Sequence, residues 1–231
     1  MNNNKAIQSF GLFGMLIGIL FLYWLAYFLS PELHRTYVQG EDRLVEWLTF
    51  MFFLLSGVIT FRTIKFRDRT SGDLYYFIIM GSFLLICAGE EISWGQRIFG
   101  FQTPLLIANI NGQNEFNLHN ISFEHIHAYG IMSWFTSLYG IVLPLLLVKR
   151  ATSPDSALRR YLSPLILVPC FSFALVIRST DDFVQSLIVQ YFGSDTVKSY
   201  VIQTAELQEL YWGISLFFSM TLIFIVRKRL S

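Results

Sequence analysis

Six apolar stretches of membrane-spanning length run along this chain, roughly residues 10–29, 44–61, 74–93, 129–148, 161–178 and 208–226. A hydrocarbon core needs about 20 apolar residues per helix, so each stretch predicts a transmembrane helix. The segments between them alternate in character. Those at about 62–73 and 149–160 read as ordinary hairpin loops rich in charge, Ser and Thr. The others are longer and more mixed. Residues 30–43 suit a short interfacial turn, and 183–192 has the pattern of a helix lying in the interface. Residues 98–121 join apolar Leu105, Leu106 and Ile107 to an Asn-rich run, a pattern able to dip back into the membrane surface. The expected fold is all-α: a polytopic membrane helical bundle of six transmembrane helices with short interfacial helices on the outer side. It forms a single integral membrane domain over residues 1–231.

Charge orients this bundle. Lys5, Arg62, Lys65, Arg67, Arg69, Lys149, Arg150, Arg159, Arg160, Arg227, Lys228 and Arg229 fall on the side shared by both termini. Only three of the 16 acids, Asp68, Asp73 and Asp155, accompany them, and all 4 histidines lie opposite. The positive-inside rule puts both termini in the cytoplasm and turns the carboxylates outward. With 54% hydrophobic residues, 17% aromatic residues and a net charge of +1, the chain is too apolar for a soluble domain of its length. No part of it suits a nucleic-acid partner, and its basic loops read as topology signals and phospholipid contacts. The first apolar run reads as a retained signal anchor. Cys87 and Cys170 both fall inside predicted spans, with no CxxC, and are expected to be buried structural thiols.

The chemistry concentrates where carboxylates meet the membrane, since ionisable groups there are costly and usually face a wet cavity or the bundle interior. The third span ends in Gly-Glu-Glu-Ile-Ser-Trp-Gly-Gln-Arg, residues 89–97. A continuous helix would align Glu90, Trp94 and Arg97 on one face, with Glu91 turned to another neighbour. Adjacent carboxylates at low dielectric must share a proton, a cation or an arginine. Next comes the run Asn109 to Asn120, whose side-chain amides can order a loop or bind sugar and phosphate groups. Glu124, His125 and His127 follow at the mouth of the fourth span; Glu124 and His127 share a helix face at a spacing used by carboxylate-bridged metal sites. Arg178 stands one turn from Asp181 and Asp182, a spacing that suits a structural salt bridge. Glu206 and Glu209 enter with the last span, and Glu46 occupies the equivalent depth on the second. Convergence of acids from several spans on one level is the strongest functional signal.

The candidate catalytic residues are Glu90, Glu91, Arg97 and Glu209. The candidate substrate-binding residues are Asn114, Glu115, Asn117 and Arg178. His119, His127 and Glu206 are the candidate ligands of a divalent metal, which would be zinc, iron or manganese. The leading expectation is a metal-dependent hydrolase or transferase acting on a lipid or lipid-linked substrate, with membrane lipids as its surroundings. A proton- or cation-coupled transporter and a non-catalytic subunit docking a partner through its acidic face are the alternatives.

The strings at 89–97 and Asn-Leu-His-Asn at 117–120 resemble those of a bacterial family of uncharacterised multi-pass membrane proteins. The resemblance covers the middle third of the chain and implies a bacterial inner-membrane location without implying an activity. A more distant similarity links the chain to alkaline ceramidase and adiponectin-receptor-like membrane hydrolases, which combine helices with a histidine and carboxylate metal site. Those proteins carry paired histidines in a late helix, and here no histidine follows His127.

Overall fold

The computed structural model describes residues 3–39, 43–66, 71–111, 115–118, 121, 128–147, 161–177, 183, 186–187, 189–190 and 204–230, without the side chains of 3–10, 97, 128–129 and 230. All regular structure among these is helical. The elements are α1 (Asn3–Leu29), α2 (Pro31–Tyr37), α3 (Leu44–Thr63), α4 (Ser71–Glu91), α5 (Gln96–Phe99) and α6 (Leu105–Ala108). They continue with α7 (Ala128–Ser137), α8 (Leu143–Leu146), α9 (Val168–Ile177) and α10 (Ala205–Leu230).

Among the described residues, four helices are long and apolar enough to cross a bilayer: Gly11–Leu29, Leu44–Phe66, Ser71–Glu91 and Ala205–Arg229. The two remaining apolar stretches are shorter, Gly130–Leu146 and Leu165–Ile177. Pro144 lacks the N–H that would bond the Gly140 carbonyl, and its ring crowds that carbonyl. The helix widens there into a π turn, Leu138–Val142, between α7 and α8. Pro164 precedes a tight 3-10 turn, Leu165–Leu167, that delays the start of α9. The segment expected to carry an interfacial helix at 183–192 is described at a few helical positions only.

Helix α3 packs along both α4 and α10, and this trio is the core of the bundle. Small side chains permit the close approach. A Cβ on Gly57 would sit 2.7 Å from Leu85 Cδ2, and one on Gly81 2.8 Å from Phe61 Cε2. Thr49, Ser56, Thr60 and Thr63 are buried on α3, and each hydroxyl donates to the carbonyl four residues earlier, at 2.9, 2.6, 2.7 and 2.8 Å. Close backbones and internally satisfied hydroxyls are how helices pack where water gives no hydrophobic drive. Over half of the apolar window of α10 (56%) is buried, against 17% of that of α1, so α10 is central and α1 peripheral. Tyr211 ties the two by donating to the Leu16 carbonyl at 2.7 Å.

Helix α2 starts on a capping Ser30, whose hydroxyl accepts from the Leu33 N–H at 3.3 Å, with Pro31 in the first turn. It buries His34 against the edges of Tyr23 and Tyr27, with ring centroids 4.5 and 5.6 Å away.

The bundle has an acidic end and a basic end. The first turns of α3 and α10 carry Glu46 and Glu206, and α4 finishes at Glu90 and Glu91. At the other end lie Arg62 on α3, Asp73 on α4, and Arg227, Lys228 and Arg229 on α10. There the Arg227 guanidinium grips the buried Asp73 carboxylate through two bonds, 2.7 and 3.1 Å. The Tyr161 hydroxyl donates to the same carboxylate.

Candidate functional site

The acidic end is assembled by three helices. Glu91, the last residue of α4, interacts electrostatically with Glu209, Glu46, Glu206 and Glu90. Glu46 and Glu206 occupy first turns, where the helix dipole favours an anion. Glu91 sits at a C-terminus, where the dipole opposes one. Its negative neighbours therefore add to an already unfavourable position for the ionised form. Cys87, one turn earlier on α4, interacts with Glu91, Glu90 and Glu209.

Beyond Glu91 the helix stops sooner than the sequence pattern suggests. Ser93, Trp94 and Gly95 take φ angles of +46°, +54° and +76°. This left-handed region is disfavoured for Ser and Trp, so surrounding contacts must hold them there. The turn abolishes the continuous polar face expected of Glu90, Trp94 and Arg97. In its place the Trp94 ring folds back over Gly89, whose Cβ would lie 3.0 Å from the ring, and its Nε1 donates to Glu90 Oε1 at 2.7 Å. The second Glu90 oxygen accepts from the Leu118 N–H at 2.5 Å. Glu90 thus anchors the chain that follows.

That chain is knotted by its own amides. Asn111 Nδ2 donates to the Asn117 carbonyl and to its Oδ1, at 3.0 and 2.9 Å, while Asn111 pairs across a β-bridge with Ile121. Glu115 Oε2 accepts from Ser93 Oγ at 2.8 Å and from Asn117 Nδ2 at 2.7 Å. Gln96 spans the two arms, donating to Thr103 Oγ1 and accepting from the Phe116 N–H, each at 2.7 Å. Glu115 and Asn117 are almost fully buried (5% and 2% exposed), so both serve this knot.

Of the candidates read from sequence, the structure puts Glu90, Glu91, Glu206 and Glu209 at the acidic end, where Glu91 feels the charge of the other three, and places Glu115 and Asn117 in the knot that Glu90 anchors through Leu118. Asn114, His119, His127 and Arg178 lie outside the described residues; Arg97 is in α5, with its side chain outside them. Among the described residues, no three His, Cys, Asp or Glu are grouped to hold a metal ion. Three residues not picked as candidates belong to the architecture. Glu46 joins the cluster, a role that its depth on the second span had signalled. Ser93 and Gln96 tie the turn to the Asn-rich run; helical spacing had put Ser93 beside the polar face of Glu90, and no local pattern marked Gln96.

A second polar feature runs along α10 toward the basic end. Gln208, Trp212, Ser215 and Ser219 share one face at helical spacing, all at most 3% exposed. Gln208 Oε1 and Ser215 Oγ have no hydrogen-bond partner among the described residues. Ser219 Oγ and the Tyr139 hydroxyl are 3.1 Å apart, and Tyr139 shares a hydrogen bond with Tyr76. The Tyr76 hydroxyl donates to the Tyr161 carbonyl at 2.7 Å, and the Tyr161 hydroxyl reaches Asp73.

No known family, characterised protein or solved structure matches this chain.

Proposed function

We propose that the carboxylates at the acidic end form an acid–base centre that acts on a lipid or lipid-linked substrate, as a hydrolase or transferase. The observation that carries this reading is that Glu91, at the end of α4, feels the charges of Glu209, Glu46, Glu206 and Glu90, carried by α3, α4 and α10. Grouped carboxylates in a poorly solvated site share protons or a cation. Two of them sharing one proton can give it to a leaving group and take one from an attacking hydroxyl. Glu91 and Glu209 fill these roles. Glu90, with both oxygens already engaged, positions the site instead. Arg97 would pair with a phosphate or carboxylate head group, and Asn114 and Arg178 would extend that contact. A divalent metal on His119, His127 and Glu206 would polarise the substrate or activate water. The described acids offer no such grouping by themselves, so the metal reading rests on the two histidines. The positive-inside distribution and the family resemblance favour the bacterial inner membrane, with the acidic end outward.

The test uses wild-type protein, Glu91→Gln and Glu209→Gln, each reconstituted with a total bacterial lipid extract and followed by lipid mass spectrometry. Wild type is expected to convert at least one lipid species that both folded variants leave intact. Identical profiles for all three would refute the reading. Elemental analysis of the same preparations decides the metal.

A second reading, proton- or cation-coupled transport, is favoured by the buried polar face of α10 between the two ends. It predicts acid-driven proton uptake in proteoliposomes that Ser215→Ala diminishes; no uptake by the wild type would dismiss it.

A further inference from the structure

The strap between α4 and the amide knot carries a surface that the carboxylate centre does not use. Residues 98–110 contain no charged residue. Ile98 is 60% exposed, Phe99 78%, Leu105 80% and Leu106 85%, with Phe101 and Ile110 partly exposed beside them. Side chains of this size together present on the order of several hundred Å² of apolar surface, more than a soluble face normally leaves bare. The surface is held out deliberately. Gln96, Thr103 and Asn111 turn inward to hydrogen bonds, and the apolar side chains between them are left on the opposite side. Glu90 fixes the far end through Leu118, which is itself 61% exposed.

We infer that residues 98–110 form an interfacial strap seated in the leaflet at the acidic end, with the glycerol and upper acyl region of the lipids as its partner. Two observations select lipid over a protein. The strap leaves α4 directly at the end of a membrane span, so its apolar surface continues that of the bundle. Trp94, 45% exposed at the turn, supplies the amphipathic ring that favours the membrane–water boundary. Two short helical pieces, α5 and α6, are joined through Gly100 at a φ of +68° and through Pro104, which break the strap into short segments. The inference does not depend on the acid–base reading, because a strap can lie in lipid beside an inert cluster.

Leu106→Cys and Phe99→Cys in the full chain, each carrying an environment-sensitive fluorophore, report its depth after reconstitution in phosphatidylglycerol and phosphatidylcholine vesicles. Wild-type protein treated in parallel measures labelling of Cys87 and Cys170. The expected result is blue-shifted emission that loses more intensity to lipids brominated high on the acyl chain than to iodide in the water. Dominant iodide quenching would place the strap in water and overturn the inference. Protection from both quenchers would overturn it in favour of a protein contact, including a second copy of this chain. Because both positions are exposed, the substitutions leave the fold intact, which circular dichroism of the labelled proteins verifies.

Discussion

Removing the charge of Asp73 should weaken the bundle more than any surface change, and the geometry says by how much. Asp73 is fully buried and Arg227 is 3% exposed. The carboxylate accepts two guanidinium bonds, 2.7 and 3.1 Å, and the Tyr161 hydroxyl. The guanidinium also lies over the faces of Phe77 and Tyr161, 5.2 and 5.7 Å from the ring centres. Asp73→Asn keeps the shape but strands a buried cation, and deleting one partner of such a pair costs about 3–5 kcal/mol. Arg227→Met strands the anion and should cost a similar amount. The double variant Asp73→Asn with Arg227→Met leaves no orphan charge, so its loss should fall well below the sum, with a coupling of about 2–3 kcal/mol. Unfolding in mixed micelles as the mole fraction of denaturing detergent rises gives the three differences. Losses below about 1 kcal/mol in both single variants would mean that the pair is solvated, since exposed pairs are worth no more. Strict additivity would equally refute the argument.

At Gly140, a Cβ would sit 2.2 Å from Phe171 Cγ, so Gly140→Ala should destabilise by about 1–3 kcal/mol in the same assay. Glu90→Ala removes the acceptor of the Trp94 and Leu118 bonds, and should open the strap to proteolysis near Leu118 while the bundle stays folded. Burial lowers the pKa of His34 to about 4 from its ordinary 6.5, so the folded protein binds fewer protons than the unfolded chain between those values. Stability should therefore be complete above pH 6.5 and fall as the medium is acidified toward pH 4. His34→Phe should flatten that part of the profile, and melting temperatures measured for both proteins across the window will show whether the slope belongs to His34.

The long spans and the separation of acids from bases were legible from one dimension alone. A stretch of apolar residues as long as a bilayer is thick has one stable conformation there, because only a helix satisfies its own backbone. The placement of Glu46, Glu90, Glu91 and Glu206 at one end of the helices also followed from sequence, since alternating helices return every second loop to the same side. Where that reasoning stopped is equally physical. Helical spacing put Trp94 and Arg97 on the face of Glu90, but the left-handed turn at Ser93 and Trp94 is set by hydrogen bonds to Glu115 and Glu90, which no local pattern encodes. The Asn-rich run could be read as a binding loop or as turn material. Only the folded chain brought Asn111, Glu115 and Asn117 close enough to satisfy one another. Asp73 and Arg227 are 154 positions apart and read as topology charges; their burial against each other is a property of α4 meeting α10. Periodicity determines which residues enter the membrane and at what depth. Pairing between distant segments depends on which helices touch, and tertiary packing alone decides that.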